Sequence, residues 1–135
     1  MDVIISSKLH DMLIAYAHEA PDKEICGLLF GDASKITHIQ KTDNISNRIE
    51  DQFEIDPAQL IAAHRAARVD GPAVLGCFHS HPNGVCLPSM QDAKAATPDG
   101  SLWVIIAGGA VGAWRAIHNG ELFGRFSPVR LHCVD

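Results

Sequence analysis

Two histidines follow directly on an apolar run, and their spacing limits how the middle of the chain can fold. Residues 73–78 are apolar and predict a buried strand. Side chains two positions apart on a strand point to the same face, so His79 and His81 converge while Ser80 faces away. Pro82 and Gly84 then end the strand and turn the chain.

A hydroxyl and a carboxylate follow that turn. Ser89 comes eight residues after His81, Asp92 three residues later, and residues 90–96 predict a helix. Alone, Ser89-X-X-Asp92 is the pattern of a helix capping box, with the serine at N-cap and the acid at N3. Together with His79 and His81, Asp92 can complete a three-ligand site for one zinc ion per chain. An open fourth position on such an ion binds and activates water.

Glu24 opens an apolar stretch that predicts a strand over residues 24–30. By itself, Glu24 is best interpreted as an exposed acid at the end of a strand. A hydrolytic zinc site, however, also needs a general base that takes a proton from water and passes it to the leaving amine. A residue that is holding the metal cannot do this, and Glu24 is the best candidate.

The order strand, His-X-His, turn, serine and aspartate resembles the signature of the JAMM (MPN-type) metallopeptidases. The family also carries an upstream glutamate on a strand, and the Glu24–Gly31 segment is similar to it. The similarity continues through three further segments and covers nearly the whole chain. These segments are Phe53-Glu54-Ile55-Asp56-Pro57, Leu75-Gly76 and Ala113-Trp114-Arg115.

The resemblance implies a fold and roles for the site residues. The fold would be of the α/β (α+β) class, a mixed curved sheet flanked by helices and related to the deaminase fold. His79, His81 and Asp92 would hold Zn²⁺, and Glu24 would act first as base and then as acid. Ser89 would donate a hydrogen bond to the tetrahedral intermediate.

Length, charge and cysteine usage narrow the class of protein. A chain of 135 residues predicts a single domain, 1–135. The net charge is −5 and no basic patch occurs, which argues against nucleic acid as a partner. No apolar run is long enough for a transmembrane helix, and the first residues do not resemble a secretory signal. Four cysteines without close pairing favour a reduced, cytoplasmic protein.

The rest of the chain predicts alternating helices and strands. A helix begins at Ser6 or Ser7, and a second spans 57–69, capped by Asp56 and stopped by Gly71. Asn119-Gly120 predicts a type I′ hairpin. The remaining strands are expected at 35–41, 52–55, 102–107, 110–117 and 121–126.

The expected substrate rests on the resemblance alone. The chain is similar to the short, stand-alone prokaryotic members of the family, which are linked to ubiquitin-like sulfur-carrier proteins. The resemblance thus implies hydrolysis at the Gly-Gly tail of such a protein, releasing cysteine or extra residues. Such a tail could add as an extended strand beside the sheet.

Three other functions stay open. They are a deubiquitinase-like isopeptidase for another ubiquitin-like modifier, a non-catalytic scaffold of the same fold, and a zinc deaminase. The deaminase signature, His-X-Glu followed by Pro-Cys-X-X-Cys, is absent from the sequence. Cys86, between the histidines and Ser89, suggests a thiol near the metal that could make the enzyme sensitive to oxidation.

Overall fold

A computed structural model describes residues 2–135 of the chain. Its described part contains seven strands and three helices. The strands are β1 (Asp2–Ser6), β2 (Cys26–Asp32), β3 (Lys35–Thr42), β4 (Ala73–Ser80), β5 (Leu102–Ala107), β6 (Ala110–Gly120) and β7 (Gly124–Val134). The helices are α1 (Ser7–Glu19), α2 (Pro57–Arg68) and α3 (Met90–Ala95). None of these helices has the length and apolarity needed to cross a membrane.

The strands form one mixed sheet that curls into a closed ring in the order β1-β3-β2-β4-β5-β6-β7. β4 and β5 are parallel, and β1 runs parallel to both of its neighbours, β3 and β7. The ring closes weakly at β1 and β3, which pair at a single position, Ile4 with Lys35. The predicted mixed, curved sheet with flanking helices is confirmed, and its closure into a ring is a feature that the sequence patterns did not indicate.

The main core is built from residues of the strands and of α1, which contributes the fully buried Leu13. β5 is buried at all six positions, as its unbroken apolar sequence predicts. A second cluster, under α3, contains Trp103, Trp114 and Phe126. Both tryptophans are therefore core residues.

Gly76 allows β4 and β5 to pair closely. It lies opposite Leu102 in the parallel register, and a Cβ atom on it would come within 1.9 Å of the Leu102 carbonyl oxygen. A larger residue would push β5 away from β4. The same register sets His79 opposite Ile105, so this close pairing helps to fix the end of β4 that carries the histidines.

Most predicted elements are confirmed, with the N-caps of α1 and α2 at Ser6 and Asp56. β1 was not predicted, because alternation of polar and apolar residues over only five positions is a weak signal for a strand. The predicted strand at residues 52–55 is reduced to a single bridge between Asn44 and Ile55. β2 begins at Cys26 instead of Glu24, so the acid precedes the strand.

Two turn predictions were wrong in detail. Asp70, with φ of 70°, takes the left-handed conformation after α2 that was expected of Gly71. Asp adopts this conformation more readily than most residues. The β6–β7 turn lies at Phe123 and Gly124, with φ of 56° and 66°, while Asn119 falls in an irregularity within β6. Long pairing of β7 with β6 and β1 overrides the local Asn-Gly signal.

Candidate metal centre

The two histidines meet at the end of β4. His79 is in the strand and His81 follows directly after it, and their Nε2 atoms lie 3.0 Å apart. Both side chains are buried. The convergence expected from the His-X-His spacing is thus present in the structure, with Ser80 pointing to the other side, toward Ile25.

Asp92 joins the histidines from the first turn of α3. Its Oδ2 lies 3.1 Å from His79 Nε2 and 3.2 Å from His81 Nε2. The same oxygen accepts a hydrogen bond from the Ser89 backbone N–H at 2.9 Å, and Ser89 Oγ accepts from the Asp92 N–H at 3.0 Å. The capping box and the three-residue cluster therefore coexist, because the box aims Asp92 Oδ2 at both imidazoles.

The three atoms fit a small metal cation. Ligands bound to a tetrahedral zinc ion at 2.0–2.1 Å are separated by about 3.3 Å, close to the separations seen here. His81 Nδ1 donates to the Val85 carbonyl at 2.9 Å, so the proton of a neutral His81 ring lies on Nδ1 and Nε2 keeps its lone pair. The donor set, two imidazoles and one carboxylate, also suits zinc.

His79 is oriented by aromatic packing. Its ring stacks on Phe53 at a centroid distance of 4.2 Å and an interplanar angle of 20°, and Trp103 meets it edge-on at 5.7 Å. Within residues 2–135 its buried Nδ1 finds no hydrogen-bond partner. Burial lowers the pKa of His79, which favours the neutral imidazole that a metal requires.

The charges of the other two residues are set by the cluster. Burial works to lower the pKa of His81, but hydrogen bonds with Asp92 and the Val85 carbonyl outweigh it and the pKa is raised. Burial likewise opposes ionisation of Asp92. The hydrogen bonds with His79 and His81 prevail and hold the pKa of this carboxyl well below its usual range. Asp92 is therefore an anion in the cluster.

Glu24 approaches the cluster from the other side. Cys26 pairs with His79 in the antiparallel β2–β4 register, so Glu24, two residues earlier, comes level with His81. Ligand atoms of Glu24, His79 and His81 all lie within 4.8 Å of one another. Asp92 is the carboxylate with one oxygen at hydrogen-bond distance from both Nε2 atoms, and we therefore assign it, and not Glu24, as the third candidate ligand.

The Glu24 carboxyl is buried without a counterion in direct contact. Its Oε1 has no hydrogen-bond partner in the described part of the chain. Burial raises the pKa of Glu24 to about 7, although His81 pulls in the opposite direction. A carboxyl with a pKa near neutrality can both accept and return a proton, as a general base must.

One cleft reaches this cluster, and a second cleft reaches Glu24. One, of about 280 Å³, is lined by His81, Pro82, the end of α1 and the Gly108–Gly109 turn. The other, of about 390 Å³, is lined by Glu24, Asn44 and residues near Lys41. A substrate can therefore reach the cluster from outside.

The surroundings of Cys86 disfavour a reactive thiolate. Its thiol donates to the Ile105 carbonyl at 3.3 Å, and burial raises its pKa, which disfavours the thiolate. All four cysteines are free in the described residues. The oxidation sensitivity suggested by the position of Cys86 stays a prediction.

Three residues support the cluster through contacts that the sequence patterns did not indicate, namely Phe53, Val85 and Asn44. Val85 acts through its carbonyl group, and Phe53 acts through a contact 26 positions away in sequence. Asn44 lies in the polar stretch 42–51, which indicates a loop that could flank the site, and its amide donates to the Glu24 carbonyl at 2.9 Å. Each contact depends on the folded chain.

Comparison with known proteins identifies the family. Residues 6–118 match the domain family described as prokaryotic homologues of the JAB domain. The chain belongs to this family. A desampylase of Haloferax volcanii is 27% identical over 107 residues, covering 75% of this chain and 77% of that protein. A probable TtuB-protein conjugate cleaving protease of Thermus thermophilus is 35% identical over 78 residues, covering 58% of this chain and 51% of that protein.

Solved structures agree on the fold. A protein of Desulfitobacterium hafniense has a TM-score of 0.81 at 21% identity, with 98% of this chain and 93% of that chain covered. A structure described as a JAMM metalloprotease-like zinc site in the proteasome and signalosome has a TM-score of 0.61 at 19% identity over the full length of both chains. The chain is accordingly a JAMM-type hydrolase, and the cluster is its candidate metal site.

Proposed function

We propose that this protein is a zinc-dependent peptidase or isopeptidase acting at the Gly-Gly tail of a ubiquitin-like sulfur-carrier protein. The convergence of three ligand atoms within 3.0–3.2 Å, beside a buried carboxyl, carries the proposal. The two features are what a hydrolytic metal site requires, namely a place for the cation and a separate base.

His79, His81 and Asp92 would hold one zinc ion per chain. Two neutral imidazoles and one carboxylate leave a formal charge of +1 on the loaded site, which favours developing negative charge nearby. The zinc ion supplies Lewis-acid chemistry, polarising a carbonyl group and lowering the pKa of water. Phe53 keeps the His79 ring fixed, and the Val85 carbonyl does the same for His81.

Glu24 would handle the proton. It takes a proton from the attacking water and then returns it to the leaving amine, and a pKa of about 7 suits both steps. Ser89 would stabilise the negative charge that develops on the carbonyl oxygen of the substrate. Its Oγ already accepts from the Asp92 N–H, so its own O–H can donate to a group entering the cluster.

The substrate class is supported by the clefts and by the relatives. A Gly-Gly tail has no side chains, so it can pass through a narrow cleft to the cluster, where Gly108 and Gly109 line one wall. The Thermus relative is named for cleaving TtuB–protein conjugates. That name favours a second kind of substrate in addition to tails with extra residues. This second kind is a conjugate, in which the tail is joined to another protein.

The test combines metal content with cleavage. Wild type, His79→Ala and, as a matched control, His118→Ala are purified, and zinc is measured by elemental analysis. Each is then incubated with a sulfur-carrier protein that has one residue beyond its Gly-Gly tail, and with the same carrier joined to a lysine side chain. We expect about one zinc ion per chain and cleavage in wild type and His118→Ala only.

Each outcome separates the candidate functions. Cleavage of the lysine conjugate alone would make the protein an isopeptidase, whereas cleavage of the extended tail alone would make it a trimming peptidase. Zinc without cleavage of either would direct the search to other ubiquitin-like modifiers. Absence of zinc and of activity, even after zinc is added, would favour the non-catalytic scaffold.

A further inference from the structure

The backbone of Glu24 is held by a loop that lies outside the sheet. Glu24 precedes β2, so no strand partner satisfies its backbone groups. Its N–H donates to the Ile49 carbonyl at 2.7 Å, and its carbonyl accepts from Asn44 Nδ2 at 2.9 Å. Both partners belong to residues 44–54, which we call the base loop.

Asn44 also shapes the base loop itself. Its Nδ2 makes a second donation, to the Gln52 carbonyl at 2.9 Å, and its Oδ1 accepts from the N–H groups of Ser46 and Glu54, each at 3.0 Å. A carboxamide offers two donors and two acceptor positions, and here all four are used. The two carbonyl groups and two N–H groups around the Asn44 amide also fix its orientation, with Nδ2 facing the carbonyl groups and Oδ1 facing the N–H groups.

These contacts matter because the Glu24 carboxyl has little else to hold it. Its Oε1 is buried without a hydrogen-bond partner in residues 2–135, so the side chain is not tethered at that atom. Its position relative to His79 and His81, within 4.8 Å, must therefore come from the backbone. Since a misplacement of about 1 Å can cost about 10²-fold in rate, a small shift of this backbone would be felt in catalysis.

We propose that Asn44 is a positioning residue for Glu24, fixing the distance of its carboxyl from the metal-binding histidines. This inference rests on the proposed function for its catalytic consequence, but the positioning itself is a property of the protein alone. Asn44 touches no reacting atom and acts through the Glu24 backbone.

The next residue provides an internal reference. The Ile25 N–H donates to Ser80 Oγ at 2.9 Å, and the Ser80 N–H donates to the Ile25 carbonyl at 3.0 Å. Ile25 is thus tied to β4 by contacts that do not involve the base loop. The Ile25 N–H shares a planar peptide unit with the Glu24 carbonyl, so the reference amide is the Ser80 N–H in β4, which donates to the Ile25 carbonyl.

The experiment uses two substitutions of Asn44 and one control. Asn44→Asp keeps an acceptor for the Ser46 and Glu54 N–H groups but cannot donate to Glu24, whereas Asn44→Ala removes all four contacts. Asn47→Ala changes an exposed amide in the same loop. Zinc content, kcat and KM on the extended-tail carrier protein, and amide hydrogen exchange are measured for each.

For both Asn44 variants we expect zinc content close to wild type and KM changed little, with kcat lower by roughly 10–10²-fold, in line with a misplaced base. The exchange rate of the Glu24 amide should rise about 10-fold or more, because its hydrogen-bonded state is less populated. Exchange at the Ser80 N–H should not change. Asn47→Ala should match wild type in every measurement.

Unchanged exchange at Glu24 in Asn44→Asp would overturn the inference, whatever the activity. A uniform rise in exchange across β2 and β4 would also overturn it, because Asn44 would then only support the fold. Failure of wild type to cleave would count against the proposed function, while the exchange data would still decide the role of Asn44. If Asn44→Ala does not fold, Asn44→Asp carries the test.

Discussion

The two sides of the metal centre are built in different ways. On the ligand side, His79, His81 and Asp92 come from one continuous segment, and a capping box aims the carboxylate at the imidazoles. On the base side, Glu24 is placed by the base loop and by the neighbouring contact of Ile25 with Ser80, 55 positions away in sequence. Local spacing assembles the ligands, whereas long-range contacts place the base.

The two carboxyl groups show the chemical result. Asp92 is close to two imidazoles and accepts from the Ser89 N–H, and its pKa lies well below the usual range. Burial without a partner on Oε1 raises the pKa of Glu24 to about 7. Two carboxyls in one site thus differ in protonation because their surroundings differ, which suits one to binding a cation and the other to moving a proton.

Removal of a ligand should produce the largest effect. We expect His79→Ala to lose zinc and cleavage together, because only two ligands remain. The loss of zinc affinity should exceed the roughly 10–100-fold typical of residues that merely support a ligand. Isothermal titration with zinc measures it, with His118→Ala as the control. Retention of zinc at wild-type affinity would remove His79 from the ligand side.

Substitution of Glu24 should lower catalysis without lowering zinc binding. We expect Glu24→Gln to keep its zinc and to lose about 10²–10⁴-fold in kcat, the usual contribution of general acid–base catalysis. Elemental analysis and steady-state kinetics test this together. If zinc is lost as well, Glu24 belongs among the ligands and the distinction between the two sides fails.

Ser89 lies where the ligand side meets the substrate. Ser89→Ala should lower kcat by about 10²–10³-fold through loss of a donor to the oxyanion. It should also lower the free energy of unfolding by about 1 kcal/mol through loss of the N-cap. Ser89→Gly is the matched variant, since glycine is a better N-cap than alanine but equally lacks the hydroxyl. Recovery of kcat in Ser89→Gly would show that capping, and not donation, was responsible.

Phe53 tests whether aromatic packing supports the ligand side. Phe53→Ala should weaken zinc binding by roughly 2–10-fold, matching the 0.5–1.5 kcal/mol of a stacked aromatic pair. Phe53→Tyr keeps the ring and serves as the control. Equal zinc affinity in Phe53→Ala and wild type would mean that β4 alone orients His79.

The last prediction concerns the stability of protein stripped of metal by a chelator. A folded-state pKa of about 7 against an ordinary value of 4.5 means that folded Glu24 binds its proton more tightly than the unfolded chain does. Its contribution to the free energy of unfolding is therefore greatest below pH 4.5 and is lost as the pH rises toward 7. Urea unfolding should show Glu24→Gln gaining on wild type between pH 5 and pH 8. A constant difference over that range would contradict the raised pKa.

Much of the fold was predictable from local signals. The apolar run of β5, the Ser6 start of α1 and the Asp56-Pro57 start of α2 each follow from apolar patterning or capping, and the structure confirms them. The predictions failed where distant pairing decides the outcome. β1 is a strand because it pairs with the last five residues of β7, and β7 is held on its other part by β6. No local pattern reports these pairings.

The same division holds in the metal centre. Residue type and spacing alone pointed to His79, His81 and Asp92, because strand and helix geometry act over a few residues. The role of Ser89 came from the family resemblance. Glu24 could be named as a candidate base, but its distance from the histidines and its raised pKa came from the fold. Burial and the hydrogen bonds of Asn44 and Ser80 depend on segments far apart in the chain, which only tertiary structure brings together.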